Sequence, residues 1–299
     1  MENLPIHLRA AVWISSLLAL FLCAGAGPSR AQEKSFLWQV ESAKNRVYIL
    51  GSVHLLKKTD GPLKPIIDDT FAKAKRVVFE VDLLNDGPEK MQQLVLKRGI
   101  NLDGKTLQQK ISPETFQLAT VWANDLGIDI KVLNPFKPWV AGMTMIVMQL
   151  QKLGYDPNLG VDRLLAERAK LANKPVSGLE SAEFQIEILD GLPASLQEMM
   201  LRQSFTEMAQ FDKTVDAMLH AWRNGDVAAA EKLFLESMAE YPALREKLLD
   251  ERNRNWLPQI ERFLKLDDDV LVVVGAAHLV GQNGLIELLK GRGYKMEQK

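Results

Sequence analysis

The sequence has 299 residues, of which 47% are hydrophobic and 25% are charged, so its composition is that of an ordinary globular protein with a sizeable core. Its formal net charge of −1 and its pI near 6.5 leave no basic excess to attract a phosphate backbone. These values argue against nucleic acid as a partner.

The first 31 residues differ in composition from the rest of the chain. Arg9 precedes an uncharged, mostly apolar stretch over residues 10–27, and the small residues Ser29 and Ala31 follow it. This order is typical of a secretory signal peptide, for which we predict cleavage after Ala31 and a periplasmic or secreted mature chain. A retained signal that anchors the protein in a membrane is the alternative, because the apolar run approaches the length of a bilayer span.

The single cysteine, Cys23, lies inside this predicted signal. The mature chain, residues 32–299, therefore has no disulfide and no thiolate ligand for a metal ion. Its metal ligands would have to be nitrogen or oxygen atoms. Export without cysteine fits a bacterial periplasm, and we predict no membrane span in the mature chain.

The start and the end of the mature chain have the pattern of an α/β sheet. FLWQVES and RVYILGSV predict two strands joined by a turn at residues 43–45, and RVVFEVDL, residues 76–83, predicts a third strand after a polar helix. VLVVVGAAHL, from Val270, returns to the sheet and is followed by a helix and the short strand YKMEQ. The alternation of strand, helix and strand is typical of α/β proteins.

The middle of the chain, about residues 88–264, is predicted to be mostly helical because apolar residues recur at steps of three and four. Within it, PVSGLE, residues 175–180, predicts a fourth strand. No linker rich in Gly, Ser or Pro separates two autonomous domains. We therefore predict one α/β domain over residues 32–299, with a mixed β-sheet formed by the N- and C-terminal parts, flanking helices and a large, mostly helical insertion.

Two short phrases at opposite ends of the chain share the pattern Gly-x-x-His-Leu. The first contains Gly51 and His54, the second contains Gly275 and His278, and each follows a predicted strand. A glycine at a strand end lets the backbone turn sharply or approach a ligand closely. Strand-end loops are where sites assemble in open α/β sheets. We predict that the two imidazoles meet in one site, and the alternative is two separate histidines with structural roles.

Acidic residues in the same region are candidate partners of these histidines. Glu80 interrupts the apolar run of the third predicted strand, where an unpaired carboxylate would be costly to bury, and Asp82 is expected on the same face by period two. Glu180 follows the fourth predicted strand, and its alternative role is that of a first-turn acid in the next helix. Imidazoles with carboxylates suit zinc, manganese, cobalt or iron, and water on such an ion has a lowered pKa.

The segment ERNRNWLPQI places Arg252 and Asn253 on a predicted helix beside a tryptophan. Most helix faces of this composition are merely solvated, whereas a functional guanidinium could clamp a substrate carboxylate or stabilise a developing oxyanion. Gly-x-Ser-x-Gly elbows, P-loops, Gly-x-Gly-x-x-Gly turns and the helical motif His-Glu-x-x-His are missing from the sequence. Serine-hydrolase, nucleotide and thiol chemistry therefore lack support.

The phrases LGSVHLL, VVFEVDL, GLES, ERNRNW and VVVGAAHLVGQNGLIELLKGRGY, in this order, resemble the TraB/GumN family, whose relatives include the Tiki metalloproteases. The resemblance covers the chain from residue 36 to about residue 295. It implies an α/β fold with a divalent-metal site and, in the Tiki branch, cleavage of a peptide bond near the substrate's N-terminus. The paired Gly-x-x-His motifs of the family match the two phrases described above.

The residues and the resemblance together give a set of predicted site residues. The metal ion, for which we consider Mn, Co or Zn, would be held by His54, His278 and Glu80. The catalytic residues would be Glu80 as ligand or general base, Glu180 in support, and Arg252 on the reacting oxygen. Four further residues are predicted to support the substrate or the ligands: Gly51, Gly275, Asp82 and Asn253.

The predicted function is that of a divalent-metal-dependent, peptidase-like hydrolase of the periplasm or cell envelope, acting on a peptide or protein. The alternative is a non-catalytic ligand-binding or regulatory envelope protein that uses the same pocket, related to exopolysaccharide or binding haem. The two functions differ in one observable. A hydrolase turns over peptides and stops on chelation, whereas a binding protein binds them without products.

Overall fold

A mixed sheet of six strands lies at the centre of the described chain, and its middle strands are rich in buried apolar residues. The computed structural model describes residues 34–208, 211–236, 238–239 and 241–299, and the predicted signal peptide lies outside them. The strands are β1 (Leu37–Glu41), β2 (Arg46–Ser52), β3 (Arg76–Phe79), β4 (Val176–Gly178), β5 (Val270–Gly275) and β6 (Met296–Gln298).

The strand order across the sheet is β4-β3-β5-β2-β1-β6. Strands β4, β3, β5 and β2 are parallel neighbours, whereas β1 pairs antiparallel with both β2 and β6. Nearly every residue of β2 and β5 is buried, as is typical of parallel strands that helices cover on both faces. This topology places the carboxyl ends of four strands at one edge of the sheet.

Helices flank the sheet and make up most of the middle of the chain. In chain order they are α1 (Pro65–Lys73), α2 (Pro88–Gly99), α3 (Leu107–Lys110), α4 (Pro113–Asp125), α5 (Pro138–Lys152), α6 (Val161–Leu171), α7 (Ala182–Asp190), α8 (Ala194–Met208), α9 (Phe211–Arg223), α10 (Val227–Glu236), α11 (Pro242–Arg245), α12 (Glu251–Phe263) and α13 (Leu285–Gly291). A π-helical turn, Glu246–Asp250, precedes α12, and a 3-10 turn, Ala276–Leu279, follows β5.

Local sequence explains where several of these helices begin. Proline stands at the first position of α1, α4 and α5, where its fixed φ suits the helix and its missing N–H costs nothing. Ser112 caps α4 by accepting a hydrogen bond from the Thr115 N–H, and Ser181 caps α7 by accepting one from the Phe184 N–H. Residues 34–299 form one compact unit.

The core has a large cluster around the sheet and two smaller clusters within the helical insertion. The large cluster contains the buried residues of β1, β2, β3 and β5 together with those of the helices that cover them. One small cluster includes buried residues of α4, α5 and α8, such as Met145, and the other joins the start of α5 to Ile186 of α7. The helical periodicity of the middle of the sequence therefore reflects helices that pack against one another, apart from the sheet.

No helix within the described ranges combines the length and the apolarity that crossing a membrane requires.

The predicted α/β fold with a mixed sheet is confirmed, and several strands are shorter than predicted, among them the third and the fourth. The third strand ends at Phe79 rather than at residue 83, because the carboxylate of Asp82 accepts hydrogen bonds from the N–H groups of Leu84 and Asn85 and turns the chain there. The fourth predicted strand, over residues 175–180, is observed as the shorter strand Val176–Gly178. It lies within the helical middle and forms the edge of the sheet beside β3.

Candidate active site

The residues that follow the four parallel strands lie together at one edge of the sheet. Ser52 of β2 pairs with Gly275 of β5, while Phe79 of β3 pairs with Val273 of β5 and Gly178 of β4. Because these pairings align the strand ends, the residues just beyond them come close to one another. They include His54, Glu80, Glu180 and His278.

Gly275 is the point on which the side chains converge. A Cβ atom at this position would lie 3.3 Å from Glu80 Oε1, 3.7 Å from His278 Cδ2 and 3.7 Å from His54 Nε2. The backbone N–H of Gly275 donates to Glu80 Oε1 at 2.7 Å. The missing side chain lets the carboxylate and both imidazoles approach the strand end. The structure thus brings the two histidines from opposite ends of the chain to one site.

His54 is the exposed histidine of the pair, with 63% of its side chain accessible. Its Nδ1 lies 2.9 Å from Asp162 Oδ2, and the other carboxylate oxygen accepts a hydrogen bond from Ser52 Oγ at 2.6 Å. Asp162 stands in the first turn of α6, and Gly160 just before that helix packs tightly against the His54 backbone. The Asp162 carboxylate raises the pKa of His54 to about 9, an effect that water around the exposed ring screens in part.

His278 is the buried histidine, with a residue exposure of 3%. The Asn253 amide donates from Nδ2 to the carbonyl oxygens of His278 at 3.2 Å and Asn283 at 2.9 Å, so its Oδ1 faces His278 Nδ1 at 2.7 Å. Nδ1 of His278 therefore carries the hydrogen, and Nε2 has the lone pair. Burial lowers the pKa of this imidazole to about 3, because its charged form would lose hydration.

Arg252 joins the carboxylates of Glu80 and Glu180 in a buried ion-pair cluster. Its Nη2 donates to Glu80 Oε2 at 2.5 Å and to Glu180 Oε1 at 2.6 Å, and its Nε donates to Glu180 Oε1 at 3.0 Å. Its Nη1 donates to the Leu248 carbonyl oxygen at 2.9 Å and to His278 Nε2 at 3.1 Å. All five N–H groups of the guanidinium thus have a partner.

Glu80 remains ionised within this cluster. Burial by itself would raise its pKa, but the Arg252 guanidinium, the nearby His54 and the Gly275 N–H outweigh burial and hold the pKa at about 2. Gln185 Nε2 donates to Glu80 Oε2 at 3.1 Å and to Glu180 Oε1 at 2.9 Å. The cluster therefore contains two carboxylates and one guanidinium, an excess of negative charge that favours a further cation.

The donor atoms suit a divalent metal ion, but a guanidinium now lies among them. Each histidine is held through Nδ1 and directs Nε2 toward the site, which is the outer hydrogen-bonding pattern of metal-ligating histidines. Arg252, however, donates to His278 Nε2 and to Glu80. Within the described ranges, no three His, Cys, Asp or Glu side chains are close enough together to hold an ion as they stand. The chemistry of these donors suits a divalent ion, but binding one would require Arg252 to give up these hydrogen bonds and the His54, His278 and Glu80 side chains to move closer together.

Two cavities meet at His54 and Glu80. The larger has a volume of about 360 Å³ and lies beneath helical residues that include Leu150, Met218 and Phe234. The smaller has a volume of about 130 Å³ and extends toward α2, α6 and α7; its lining adds Phe79, Val81, Leu83, Met91, Asp162 and Gln185. A molecule bound at the strand ends would therefore have room on both sides of the two residues.

The other predicted residues have different surroundings. Glu180 binds Arg252 and accepts from Trp256 Nε1 at 3.0 Å, while Ser181 rather than Glu180 caps α7. Asp82 was expected to share a face with Glu80, but β3 ends at Phe79 and the Asp82 carboxylate binds its own turn. Gly51 lies in the core, where an added Cβ would meet Phe36.

Sequence reasoning missed Asp162 and Gln185, which hold His54 and Glu80 in place. Both stand in the first turns of helices, where a polar residue is ordinary. Nothing in the local sequence distinguishes them. Trp256 was noticed only as a neighbour of the Arg-Asn segment, and it stacks at 4.4 Å from the His278 ring and binds Glu180.

Comparison with known proteins identifies relatives over most of the chain. It is 25% identical to the uncharacterized protein YbaP of Escherichia coli over 81% of this chain and 87% of YbaP. It is 22% identical to an uncharacterized protein of Treponema pallidum, over 91% of this chain and 85% of that protein. A Metalloprotease TIKI homolog of Nematostella vectensis is 21% identical over 88% of this chain, which spans 66% of that protein. No solved structure matches the chain significantly.

A family model describes nearly the whole of the part that the structure shows. The model of the TraB/PrgY/gumN family matches residues 36–298, a range that includes both Gly-x-x-His loops and every side chain of the cluster around Gly275. The match confirms the resemblance that the motifs indicate. The chain belongs to the TraB/PrgY/gumN family.

Proposed function

We propose that this protein is a divalent-metal-dependent hydrolase that cleaves peptide bonds. The observation that supports it most is the convergence of two imidazoles and Glu80 at Gly275, with each ring held through Nδ1 and each Nε2 directed toward the same place. Family membership and the distant similarity to a protein named as a metalloprotease homolog hint at hydrolase chemistry. The metal ion and the peptide substrate are our inference from the chemistry of the site.

In this proposal His54 Nε2, His278 Nε2 and Glu80 hold the ion. A bound divalent ion would lower the pKa of a water molecule and polarise the substrate carbonyl. Glu80 acts as a ligand rather than as a base, because a carboxylate with a pKa of about 2 accepts protons poorly. The excess negative charge of the cluster attracts the cation into a site that water only partly reaches.

Asp162 and Asn253 fix the two rings, while Glu180 holds the guanidinium of Arg252. Arg252 has no spare N–H in the structure. Its Nη1 becomes available when His278 Nε2 takes another partner, and it can then donate to a substrate oxygen, because Arg252 lines the larger cavity. Arg252 would thus stabilise the reacting oxygen only in the loaded site.

Metal content tests the ligand assignment directly. We expect the purified mature chain to retain about one divalent ion per molecule after gel filtration. The variants His54→Ala and His278→Ala should each lose most of this metal, as measured by inductively coupled plasma mass spectrometry. His220→Ala is the matched control, because His220 is exposed on α9 and its ring contacts Asn224 instead of the site. Full retention of metal by both site variants would reject the proposal.

A mixture of unblocked and blocked peptides, followed by mass spectrometry, tests the reaction. We expect products from the metal-loaded protein, none after chelation, and none from either site variant. The second candidate function is a binding protein, which the mostly apolar lining of the larger cavity favours. Tight peptide binding without products, with metal present, would support that second function.

We also propose that the protein acts in the periplasm or cell envelope after cleavage behind Ala31. This proposal rests on the composition of residues 1–31 alone. The intact mass of the protein recovered from a periplasmic extract tests it. A mass that includes the first 31 residues, with the protein found in the membrane fraction, would instead support a retained anchor.

A further inference from the structure

The two cavities on either side of His54 and Glu80 differ in size and lining. The larger, at about 360 Å³, has more than twice the volume of a protein cavity that holds benzene, for which roughly 150 Å³ suffices. The smaller, at about 130 Å³, falls below that size. A substrate that crosses the site therefore meets unequal space on its two sides.

The lining of the larger cavity selects for an apolar group. All its charged or titratable imidazole, carboxylate and guanidinium groups belong to the cluster at the strand ends: His54, Glu80, Arg252 and His278. Away from that end, the described lining is aliphatic or aromatic and comes mainly from α5, α9 and α10, with Leu150, Met218 and Phe234 as examples. Tyr155 and Leu249 complete it, and the Tyr155 hydroxyl already donates to Asp216. Burying an apolar side chain there removes it from water without leaving a polar group unpaired.

The smaller cavity is limited by rigid surroundings. Phe79 and Val81 on its wall are almost completely buried, so they have no open space into which to move. Its polar side is formed by Asp162 and Gln185, and both already hold other residues of the site. A large side chain would have to displace these supports of His54 and Glu80.

We propose that the site takes peptides in an asymmetric manner, with a large apolar side chain in the larger cavity and a small residue in the smaller one. This specificity rests on the proposed hydrolase function for its consequence, the choice of the bond that is cut. The binding preference itself follows from the two cavities and requires no turnover. The substrates are therefore peptides in which a large apolar residue is followed or preceded closely by a small one.

Calorimetric titration with blocked peptides in the presence of a chelator tests the preference without cleavage. The probes are acetyl-Gly-Phe-Gly-Gly-amide, the matched acetyl-Gly-Ala-Gly-Gly-amide, and acetyl-Trp-Phe-Trp-Gly-amide. We expect the Phe peptide to bind at least about tenfold more tightly than the Ala peptide, which corresponds to about 1.4 kcal/mol. The peptide with tryptophan on both sides is expected to bind more weakly than the Phe peptide, because the smaller cavity excludes it.

Methionine-to-tryptophan substitutions at three positions test which cavity is responsible for the preference. Met218→Trp fills the larger cavity and should abolish the preference for Phe over Ala, whereas Met91→Trp fills the smaller cavity and should weaken both peptides alike. Met143→Trp is the control, because Met143 is exposed on α5 and lines neither cavity. Thermal unfolding checks each variant, and Met218→Phe replaces Met218→Trp should the latter fail to fold.

Equal binding of the Phe and Ala peptides by the wild-type protein overturns the proposal, as does an unchanged preference in the Met218 variant. Cleavage of the peptide mixture at bonds with no flanking preference also overturns it, while leaving the hydrolase function standing. Conversely, the expected binding pattern together with no products from the peptide mixture and the metal-loaded protein rejects the hydrolase function and keeps the asymmetric site. The two proposals therefore fail in different experiments.

Discussion

The two Gly-x-x-His loops share a local sequence and differ in nearly every contact. In the N-terminal loop, Gly51 packs in the core against Phe36, and the exposed His54 pairs with a carboxylate. In the C-terminal loop, Gly275 faces the site, and the buried His278 is held by a neutral amide. The pKa of the first histidine is raised and that of the second is lowered. Matching motifs therefore place two imidazoles together but give them opposite charge preferences.

The difference follows from where each loop leaves the sheet. The chain after β5 enters a buried 3-10 turn, so His278 is covered by Trp256 and the guanidinium of Arg252. The chain after β2 lines the larger cavity, and His54 stays largely exposed while its Nδ1 contacts Asp162 at the start of α6. One loop thus holds a buried imidazole that stays neutral, and the other holds an exposed ring whose charged form is favoured.

The largest effect is expected at the group that joins the C-terminal loop to the carboxylates. Arg252→Gln leaves Glu80 and Glu180 buried without their cation, and breaking a buried pair in this way costs about 3–5 kcal/mol. Urea unfolding measures the loss. Arg254→Gln, on the same helix, breaks an exposed pair with Glu246 and should cost less than about 1 kcal/mol. Equal effects of the two substitutions would contradict a buried cluster.

The two glycines should separate stability from function. Gly51→Ala places a Cβ 2.5 Å from Phe36 Cδ1 and 3.1 Å from the Ala276 backbone, so we expect a loss of about 1–3 kcal/mol from overpacking. Gly275→Ala places a Cβ 3.3 Å from the Glu80 carboxylate, beside a cavity, so its loss of stability should be smaller.

Its effect on metal content should be larger, because the added methyl group lies between the proposed ligands. Unfolding curves and metal analysis of both variants check the pair of expectations. A Gly275→Ala protein that keeps its metal, or a Gly51→Ala protein that loses metal without losing stability, would run against this division of roles.

Asn253 and Asp162, which bind Nδ1 of His278 and of His54, should differ in the same way in their contributions to stability. Asn253→Ala removes the partner of the His278 Nδ1–H and of two backbone carbonyl oxygens in a buried place, which should cost about 1–3 kcal/mol. Asp162→Asn keeps the shape beside the exposed His54, removes the charge and replaces one acceptor oxygen by an NH2 group to which the Ser52 hydroxyl or the His54 ring can adapt, so the expected cost is below about 1 kcal/mol. Thermal or urea unfolding checks both values, and a costlier Asp162→Asn would mean that the N-terminal loop is the more rigid one.

The convergence of the two loops could be predicted from the sequence, whereas their supports could not. Two strand-glycine-histidine phrases in an α/β pattern indicate neighbouring strand ends, and the parallel pairing of β2 with β5 realises that expectation. Asp162 and Gln185 belong to helices of the insertion, and their positions depend on how those helices pack back against the sheet. Local periodicity predicts that such helices exist, but it does not specify which polar residue faces the site.

The role of Glu180 could not be predicted from its neighbours in the sequence either. The sequence allowed either a site residue or a first-turn acid, since a carboxylate after a strand and before a helix suits both. In the structure Glu180 is a site residue, because the guanidinium of Arg252, 72 residues later in the chain, binds it. Ser181 caps the helix instead. The strand end at Phe79 likewise depends on the turn that Asp82 makes, which removes Asp82 from the face of Glu80.

The most specific expectation concerns the pH dependence of stability, measured by urea unfolding with a chelator present. The folded-state pKa of His278 is about 3, below its ordinary value of 6.5. Between these two pH values the unfolded chain binds a proton on this histidine that the folded chain does not bind. This histidine therefore costs stability as the pH falls from about 6.5 toward 3. His278→Gln removes that cost, and its deficit relative to the wild-type protein should shrink on acidification.

His54 should show the opposite trend. Its folded-state pKa is raised to about 9, so its pairing with Asp162 contributes stability that is fully present below pH 6.5 and is lost as the pH rises through about 9. Because the ring is exposed, the contribution is expected to stay below about 1 kcal/mol. The gap between the wild-type protein and His54→Gln should then be widest near pH 6 and close above pH 9, with His220→Gln as the control on an exposed helix. Parallel pH profiles for the two site variants would show that the loops differ in packing alone and not in the charge that each one prefers.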